Sequence, residues 1–576
     1  MNAIRKRSEK DKNAKFDDLY SLLYKEDLVF KAIDKLKTNK GSGTAGVDSA
    51  TFDKYNNKAI QELIQKLKNK TYNFLPVKKK KRLYFPKPGK TTLRPIGIPS
   101  FQDRIVQEMI RTILEQIYEP IFEKVHNNVN AGFRTGKGCH DSIHRLLQQV
   151  KGYDWCIEGD IKGAYDNIRH NKLLEILGEK IIDKTFLKLI RNGLESGLVH
   201  QGQFHHTILG TPQGGIASPI LFNIYMSKLD EYVSNDLAKL VLNKNETENR
   251  LAKPVTNSYN KIRSEIRKIE RNNLGKDTEQ EQELIERHRF LEIKKFSVPY
   301  LDKKKTLIRM VYARYADDWV LFTNGSEEYA THLKDKINEF LQNQLGLELN
   351  QDKTKITNVK TTRVKFLGYS LCTFGTNRKV MGVTGKSGAV NNKRTTGINL
   401  VAGMDQDRLD NRLILKGFIT KDGKGEIKAK RKPEWTVFQD HEIIQMFNYV
   451  IRGISNYYML ISQVSHINHY CYLLYYSCAH TLANKHNASL RQIFTKYGHP
   501  IQAKKPERNK AEKEKESEKE ADSVKLLDYL QVKEIMLKQK QAFVIRNNDK
   551  DKANKAKNEN SIDTTTNDPL ELRANW

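Results

Sequence analysis

The spacing of apolar residues predicts a chain in which helices alternate with short extended segments. Ile60, Leu63, Ile64 and Leu67, for example, recur at helical spacing within residues 54–69. Short β-rich runs lie between such segments, and a Pro-Gly turn joins two of them into a hairpin. We expect helices at residues 17–37, 54–69, 102–119, 261–271, 280–292 and 330–345, and across most of residues 437–500.

A second predicted hairpin carries two adjacent acids at its tip. Apolar, β-rich runs flank Asp317 and Asp318 within residues 308–322. Neighbouring carboxylates repel each other unless a cation neutralises them, and a hairpin tip is a rigid place for a divalent metal ion. Asp is also a common turn residue, so a solvated turn stays open at this point. Another apolar strand ends at Asp160, which could supply a third carboxylate or cap a helix.

Several cations and one aromatic residue are placed to contact a polyanion. Lys87 and Arg94 lie on the sides of the Pro-Gly hairpin, where cations can clamp a triphosphate or simply face solvent. Arg134 and Lys137 lie in a Gly-rich stretch that opens a helix, which suits a phosphate backbone or an ordinary capped helix start. Tyr165 follows the strand-end acid by five residues and could stand against the sugar of a nucleotide.

Two other stretches have both a functional and a structural interpretation. Gln213 and Gly214 precede a helix, where Gly permits close approach and Gln offers a donor and an acceptor; a plain turn is the alternative. Aromatic residues within 437–500 could stack on bases, although helical spacing places most of them in a core. The polar, charge-mixed residues 231–300 predict a solvated helical insertion.

The charge balance points to nucleic acid. The 576 residues include 100 Lys and Arg against 69 Asp and Glu, a formal charge of +31. Such a surplus would repel itself unless a polyanion compensates it. Residues 501–576 contain 17 basic and 15 acidic residues, a net of +2, which leaves about +29 for residues 1–500. We therefore expect the polyanion surface to lie in the body of the chain.

Cysteine usage and hydropathy indicate the compartment in which the protein is expected to work. The five Cys residues form no Cys-x-x-Cys pair, which predicts reduced thiols packed in a core and no zinc site. No apolar run approaches 18 residues, and the first residues lack the apolar segment of a signal peptide. We expect a soluble protein without a membrane partner, in the bacterial cytoplasm or an organellar matrix, associated with nucleic acid.

Taken in order, these motifs resemble the palm and fingers of a reverse transcriptase. The fingers resemblance is carried by Lys87, Arg94 and the following Pro-Ile-Gly-Ile-Pro. The palm resemblance is carried by Asp160 with Tyr165, Gln213-Gly214, Tyr315-Ala-Asp-Asp318, Lys353 and Phe366-Leu-Gly368.

More specifically, roughly residues 20–500 resemble the reverse transcriptase/maturases encoded by group II introns. Gly46-Val-Asp48 and the block from Gly132 to Asp141 are similar to their N-terminal blocks. Arg452 to Tyr458 and Ser477 to Lys485 are similar to their maturase domain. The resemblance implies an RNA-directed DNA polymerase that binds its intron RNA to assist splicing and supports retrohoming. It implies an α+β fold: a right-hand polymerase whose fingers and palm contain antiparallel sheet, then a helical thumb/maturase domain.

The resemblance also implies a set of site residues. Catalysis falls to Asp160, Asp317 and Asp318, and two Mg²⁺ ions are held by Asp160, Ile161 and Asp317. The nucleotide would be bound by Lys87, Arg94, Tyr165, Gln213, Gly214 and Lys353, and RNA by Arg134, Lys137, Arg452, Asn456 and Lys485. The implied partners are group II intron RNA, an RNA template with a DNA primer, dNTPs and target DNA; a homodimer stays open.

The same resemblance divides the chain and leaves two alternatives. We expect an N-terminal extension with fingers (1–150), a palm (151–372) with a helical insertion at about 231–305, and a thumb/maturase domain (373–500). Residues 501–576 are expected to be a charged, partly disordered tail, a remnant of a DNA-binding region. No Cys follows Cys478, so we expect no HNH endonuclease. The alternatives are an RNA-binding maturase without polymerase activity and a reverse transcriptase of a non-intron lineage.

Overall fold

Most of the chain is described by the computed structural model. The described residues are 1–11, 13–39, 41–52, 55–86, 93–124, 129–200, 203–211, 214–237, 257–272, 278–297, 308–373, 380–384, 390–394, 399–505 and 523–556.

Helices dominate the described residues, and each segment that the sequence predicts as helical contains a helix; further helices lie outside those segments. They are α1 (Asn2–Lys10), α2 (Glu26–Lys37), α3 (Asn57–Lys68), α4 (Phe101–Lys124), α5 (Cys139–Gln149), α6 (His170–Gly178), α7 (Lys184–Glu195), α8 (Ser218–Glu231), α9 (Asn257–Asn272), α10 (Thr278–Ser297), α11 (Glu327–Phe340), α12 (Gln406–Leu415), α13 (Asp440–Tyr457), α14 (His466–His486), α15 (Leu490–Tyr497) and α16 (Tyr529–Ala556). Short 3₁₀ or π turns occur at Tyr20–Tyr24, Tyr232–Leu237, Leu341–Leu345 and Pro433–Trp435.

The strands form small sheets. They are β1 (Val77–Pro86), β2 (Leu93–Ile98), β3 (Trp155–Gly159), β4 (Leu198–His200), β5 (Gln203–His205), β6 (Met310–Tyr315), β7 (Asp318–Thr323), β8 (Lys355–Asn358), β9 (Val364–Phe366), β10 (Tyr369–Cys372), β11 (Val380–Thr384), β12 (Val390–Arg394), β13 (Val401–Met404), β14 (Ile419–Lys421), β15 (Ile427–Ala429), β16 (Gln502–Lys504) and β17 (Ser523–Lys525).

A four-stranded antiparallel sheet holds the predicted metal hairpin. Its strand order is β6-β7-β3-β8, so the strand that ends before Asp160 lies beside the hairpin. The register pairs Gly159 with Trp319, whose side chain is 1% exposed. A Cβ on Gly159 would lie 2.0 Å from the indole ring, so only glycine leaves room for Trp319 at this point. The hairpin and the end of β3 are thereby locked together.

The described residues form two hydrophobic cores. One continuous core extends from Ala14 to Met536 and includes the inner faces of the palm and maturase helices. A small separate core is formed by the insertion helices α9 and α10: Ile262, Ile266, Ile269 and Leu291. The predicted helical insertion is therefore a helical pair with its own core. Among the described residues, no helix combines the length and the hydropathy that a membrane span requires.

In two regions the structure contains regular elements that the sequence pattern does not predict. Residues 374–434 show little periodicity, yet they contain β13, α12 and the β14–β15 hairpin. In the predicted charged tail, β17 pairs with β16, and α16 packs on α13 and α14. The five cysteines are buried, reduced thiols, which confirms the prediction that they pack in the core.

Candidate active site

The β6–β7 turn presents the acids on a tight two-residue loop. Tyr315 pairs with Asp318, which leaves Ala316 and Asp317 as the turn. Ala316 has a φ of 60°, a left-handed conformation that costs an alanine about 1 kcal/mol. Two-residue hairpin turns of the favoured types require positive φ, so neighbouring contacts must hold this residue in place.

A buried ion pair holds the turn from below. Arg314 and Asp230 are 0% and 1% exposed, and Arg314 Nη2 lies 2.6 Å from Asp230 Oδ2. Arg314 Nε donates to Asp230 Oδ1 at 2.7 Å, which makes the pair bidentate. Arg314 Nη1 donates to the carbonyl of Ala316 at 2.9 Å. The charge of Arg314 is thus balanced by Asp230 while one donor anchors the catalytic turn.

A glycine and two asparagines support the turn from the side. A Cβ on Gly132 would lie 2.5 Å from the Ala316 nitrogen, so the two backbones meet only because residue 132 is glycine. Asn130 Nδ2 donates to Asn223 Oδ1 at 2.9 Å, and Asn223 Nδ2 donates to the Gly132 carbonyl at 2.8 Å. Strand β6 therefore sits in a hydrogen-bonded cradle built from the loop before α5 and from α8.

Three carboxylates meet at this edge of the sheet. Asp160 directly follows Gly159, the partner of Trp319, so it comes next to Asp318 in the register. Asp318 is exposed, yet desolvation by its surroundings, and then the charges of Asp317 and Asp160, raise its pKa to about 6. Burial and then the charge of Asp317 raise the pKa of the Tyr165 hydroxyl.

Asp160 is engaged by two side chains from the loop before β8. Its Oδ2 atom accepts from Lys353 Nζ at 2.6 Å and from Asn350 Nδ2 at 3.0 Å. In the part of the chain that the structure describes, no three His, Cys, Asp or Glu side chains are arranged to hold a metal ion as they stand. The carboxylates converge, but Asp160 would have to turn from Lys353 before it could share a cation with the hairpin acids.

Ile161 contributes a backbone oxygen at the same edge. It forms an antiparallel bridge with Leu349, in which Lys162 N donates to the Glu348 carbonyl and Asn350 N donates to the Asp160 carbonyl. In this arrangement Ile161 is the non-hydrogen-bonded residue of its pair, so its carbonyl points away from the ladder. A cation bound by this carbonyl and the three carboxylates would have only oxygen ligands from the protein.

The predicted nucleotide side of the site contains an aromatic stack. Tyr165 stacks on Phe222 with ring centroids 4.1 Å apart and an interplanar angle of 17°. The Tyr165 hydroxyl is buried and has no hydrogen-bond partner among the described side chains and backbone. Gly214 lies in the loop before α8 and has a φ of 106°, a backbone conformation that favours glycine. Lys87 and Gln213 lie outside the described residues, and Arg94 is described only as part of β2.

The residues predicted to bind RNA separate into two groups. Arg452 is exposed on α13, and Asn456 follows it one turn later with a buried Oδ1 atom that lacks a partner among the described residues. Lys137 is partly exposed, with Nζ 3.9 Å from Glu123 Oε1. Lys485 instead is tied to the start of α13, since its Nζ donates to the Phe438 carbonyl at 2.6 Å and pairs with Asp440.

The prediction that Arg134 binds RNA is wrong for this structure. Arg134 is 3% exposed, and its guanidinium forms a bidentate pair with Glu119, the closest contact being 2.6 Å. Arg134 Nη1 also donates to the Asn130 carbonyl at 2.8 Å. The guanidinium therefore buttresses the cradle under the catalytic turn and is not presented to a phosphate backbone.

Sequence reasoning missed the residues that hold the turn. Asp230 ends the apolar run of α8, and Arg314 interrupts the apolar run of β6. A charged residue within each of two otherwise apolar elements is a signal for a buried ion pair. Gly132 and Asn223 carried no comparable signal, because their importance depends on which backbone approaches them.

Comparison with known proteins places these features in a family. A family model described as reverse transcriptase (RNA-dependent DNA polymerase) matches residues 77–245 and 291–371. A model described as type II intron maturase matches residues 401–539. Reverse transcriptases generally use divalent metal ions, in agreement with the oxygen-rich edge. The maturase match sets aside a reverse transcriptase of a non-intron lineage.

Individual relatives agree with the two family models. The group II intron-encoded protein LtrA of Lactococcus lactis subsp. cremoris is 32% identical over 505 residues, which cover 86% of this chain and 79% of that protein. An uncharacterized 91 kDa protein in the cob intron of Schizosaccharomyces pombe is 32% identical over 504 residues, covering 86% of this chain and 58% of that protein. Apo telomerase from Candida tropicalis, truncated from its C-terminal domain, overlaps with a TM-score of only 0.31 and 14% identity, covering 53% of this chain and 56% of that chain.

The polymerase and maturase matches together confirm the resemblance inferred from the motifs, including its mixed α/β fold with an antiparallel palm sheet and a helical C-terminal region. Binding of intron RNA and of a template with its primer follows from the same two matches. The chain belongs to the family of group II intron-encoded reverse transcriptase/maturases and is an RNA-directed DNA polymerase with an intron maturase domain.

Proposed function

We propose that Asp160, Asp317 and Asp318 form the site at which this enzyme extends a DNA primer on an RNA template. The observation that carries the proposal is the sheet register, which brings the end of β3 beside the β6–β7 turn. The all-oxygen donor set, completed by the Ile161 carbonyl, suits Mg²⁺. When bound, two Mg²⁺ ions would stabilise the attacking 3′-oxygen and the leaving pyrophosphate.

Lys353 acts with Asp160 in this proposal. Its ammonium group neutralises the Asp160 carboxylate at 2.6 Å, and the Lys353 side chain is half exposed, at 50%. A cation shared with Asp317 would displace the ammonium from Asp160, because both compete for the same oxygen. The released ammonium lies within reach of the site and would bind a phosphate of the nucleotide, as a point charge on a flexible stem.

Tyr165 defines the sugar side of the nucleotide site. Phe222 holds the Tyr165 ring at stacking distance, so the ring cannot swing away from a bound sugar. A rigid ring at this position would exclude a 2′-hydroxyl and select dNTPs. Lys87 and Arg94 would clamp the triphosphate, and Gln213 with Gly214 would pack against the nucleotide.

The maturase helices offer the surface for intron RNA. From Ile443 to Lys505 the chain has no Asp or Glu and six Lys or Arg residues. Tyr449, Arg452 and Asn456 share one face of α13, and Tyr449 is 56% exposed. Tyr472, 58% exposed, and Tyr476 form a ring pair on α14 with centroids 4.6 Å apart. Cations interleaved with exposed aromatic rings suit single-stranded RNA, so this surface would stabilise the folded intron during splicing.

We assign polymerisation and RNA binding to the domains expected from the sequence. Residues 1–150 and 151–372 would form the fingers and palm, and 373–500 the thumb/maturase domain. The maturase match to residue 539 and the packing of α16 extend that last domain beyond residue 500. Together the two activities would support copying of the intron at a DNA target.

Incorporation of dNTPs on an RNA template by purified protein tests the proposal. Asp317→Ala should abolish primer extension while intron RNA binding persists. Asp352→Ala is the matched control, because Asp352 is an exposed acid in the same loop as Asn350 and Lys353 and is not one of the three carboxylates of the proposed site. An active Asp317→Ala enzyme would refute the assignment. A wild-type protein that binds and splices RNA but never incorporates dNTPs would favour the non-polymerase maturase.

A further inference from the structure

The loop before α5, residues 129–138, is hydrogen-bonded to the strand that leads into the catalytic turn. Ala131 N donates to the Arg314 carbonyl at 3.2 Å, and Arg314 N donates to the Val129 carbonyl at 2.9 Å. The side chain of Arg314 anchors the Ala316 carbonyl at 2.9 Å. The backbone that carries this anchor is therefore held by the 129–138 loop.

Internal contacts make the 129–138 loop a single unit. Arg134 is 3% exposed, pairs with Glu119 at 2.6 Å, and donates from Nη1 to the Asn130 carbonyl at 2.8 Å. Lys137 N donates to the Arg134 carbonyl at 3.2 Å, which closes a turn around Gly136, whose φ is 68°. Arg134 thus joins the end of the loop that contacts β6 to the end that contains Gly136. Because close-packed interiors transmit displacements, a shift at one end moves the other.

Helix α16 contacts the far end of this loop. Arg546 Nη2 donates to the Gly136 carbonyl at 3.1 Å. Phe543, one turn earlier on α16, packs edge-on against His144 and His140 of α5, with ring centroids 5.4 and 6.0 Å apart. The same helix packs on α13 and α14 of the maturase region. A helix fixed on three neighbours therefore supplies the donor to the loop.

We propose that Arg546 is a positioning residue for primer extension. Through the Gly136 carbonyl it holds the 129–138 loop against β6, and the loop in turn fixes the turn that presents Asp317. The inference rests on the proposed polymerase site, because it takes the acids of this turn as the place of reaction. Arg546 lies beyond residue 539, where the maturase match ends, so neither family match includes it.

The backbone of the catalytic turn makes it sensitive to such support. Ala316 has a φ of 60°, and a residue other than glycine keeps that conformation only where its surroundings hold it. When the loop loosens, the turn relaxes and the acids move. A displacement of about 1 Å at reacting groups can lower a rate roughly 100-fold. The Tyr165 ring is instead held by Phe222, so the affinity for the nucleotide should change little.

Single-turnover primer extension on an RNA template, at saturating dNTP, tests the proposal. Arg546→Met keeps most of the side-chain length but removes the donor to Gly136, so the rate constant should fall about tenfold, part of the loss that a full displacement causes. The burst amplitude should stay at the wild-type value, and the KM for dNTP should stay within about twofold. Arg546→Lys keeps one donor and should restore the rate constant to within about threefold of wild type.

The amplitude separates positioning from folding, because incompletely folded protein lowers the number of active molecules and leaves their rate constant unchanged. Lys538→Met is the matched control: Lys538 is an exposed cation of α16 whose ammonium pairs with Glu534 on the same helix at 2.6 Å. Its rate constant should equal that of the wild type. A reduced amplitude with an unchanged rate constant in Arg546→Met would overturn the proposal, as would equal losses of rate in Arg546→Met and Lys538→Met.

A double variant tests the route through the loop. Gly132→Ala disturbs the same loop where it meets the turn, so the losses of rate in Gly132→Ala and Arg546→Met should combine to less than their product. Losses that multiply would overturn transmission through the loop. A wild-type rate in Arg546→Met beside an inactive Asp317→Ala enzyme would overturn this inference alone, whereas an active Asp317→Ala enzyme would refute the polymerase site itself.

Discussion

At the scale of single residues, the ionised Asp318 carboxylate lowers the stability of the fold but is needed for primer extension. Its pKa is raised from 3.8 to about 6, so the folded state binds the proton more tightly than the unfolded state does. Ionised Asp318 therefore destabilises the fold above about pH 6, and this penalty disappears below about pH 4. Asp318→Asn should raise the free energy of unfolding at pH 7.5 by no more than about 1 kcal/mol, because solvent reaches the side chain. It should also lower primer extension roughly 100-fold.

Urea unfolding of the metal-free protein at pH 7.5 and pH 4 measures the effect on stability. The gain should be much smaller at pH 4, where Asp318 is protonated in the folded state and about half protonated in the unfolded state. A variant that is destabilised equally at both pH values would contradict the electrostatic explanation and indicate lost packing or hydrogen bonding instead.

Arg314 is a residue whose loss should damage fold and function together. Arg314→Met leaves the Asp230 carboxylate buried without its cation, which should cost about 3–5 kcal/mol of unfolding free energy. It also removes the donor to the Ala316 carbonyl, so primer extension should fall even at temperatures where the variant is folded. Chemical denaturation and single-turnover extension measure the two effects. Replacing both members of the pair by apolar residues should recover much of the stability but not the activity; recovery of both would show that the turn needs no anchor.

At the scale of elements, Gly132 determines how closely the loop before α5 approaches the catalytic hairpin. Gly132→Ala places a Cβ 2.5 Å from the Ala316 nitrogen, so the turn must shift. A displacement of about 1 Å at reacting groups can cost roughly 100-fold in rate, which is the expected loss of primer extension. Gly138→Ala is the control, since its Cβ would meet nothing closer than Asp141 Oδ2 at 3.9 Å. Comparable losses in the two variants would argue against the steric explanation.

How far the sequence predicts an element depends on whether its causes are local. The β6–β7 hairpin and the strand before Asp160 were predictable, because their apolar, β-rich runs and the turn residues lie within a few positions of each other. Arg134 was misassigned because a cation in a Gly-rich loop looks like a phosphate ligand, and its partner Glu119 lies on a different element. The contact between Gly132 and Ala316 was invisible for the same reason, since two separate loops must meet before the glycine matters.

At the scale of the whole molecule, α16 joins the C-terminal part of the chain to α5 in its N-terminal part. Phe543 packs edge-on against His144 and His140 of α5, with ring centroids 5.4 and 6.0 Å apart. Phe543→Ala should lower the free energy of unfolding by roughly 1–3 kcal/mol, the value of a partly buried aromatic side chain. Ile545→Ala, on the same helix but 59% exposed, should change it by less than about 0.5 kcal/mol. Equal thermal stability of the two variants would show that α16 does not bind α5 in solution.

Exposed cations on the maturase helices are expected to contribute directly to binding of intron RNA. Arg452, Arg491 and Lys496 are exposed cations within the acid-free segment from Ile443 to Lys505. Replacing all three by Ala should weaken binding of intron RNA, and the slope of log K against log salt should fall in magnitude by about 2 to 3. The reason is local: a cation with no acid nearby can release a counterion from RNA, whereas a cation already paired with Glu releases none. Filter binding over a KCl series measures both quantities.

The matched control removes Lys510, Lys513 and Lys515, which alternate with Glu in the tail. Both triple variants lower the formal charge from +31 by the same three units, so net charge alone predicts equal losses of affinity. The placement argument predicts a loss only for the maturase variant, because the tail carries a net charge of only +2 over residues 501–576. Equal slopes of log K against log salt for the two variants would mean that RNA binding depends on the overall charge of the protein and not on a defined surface of its maturase helices.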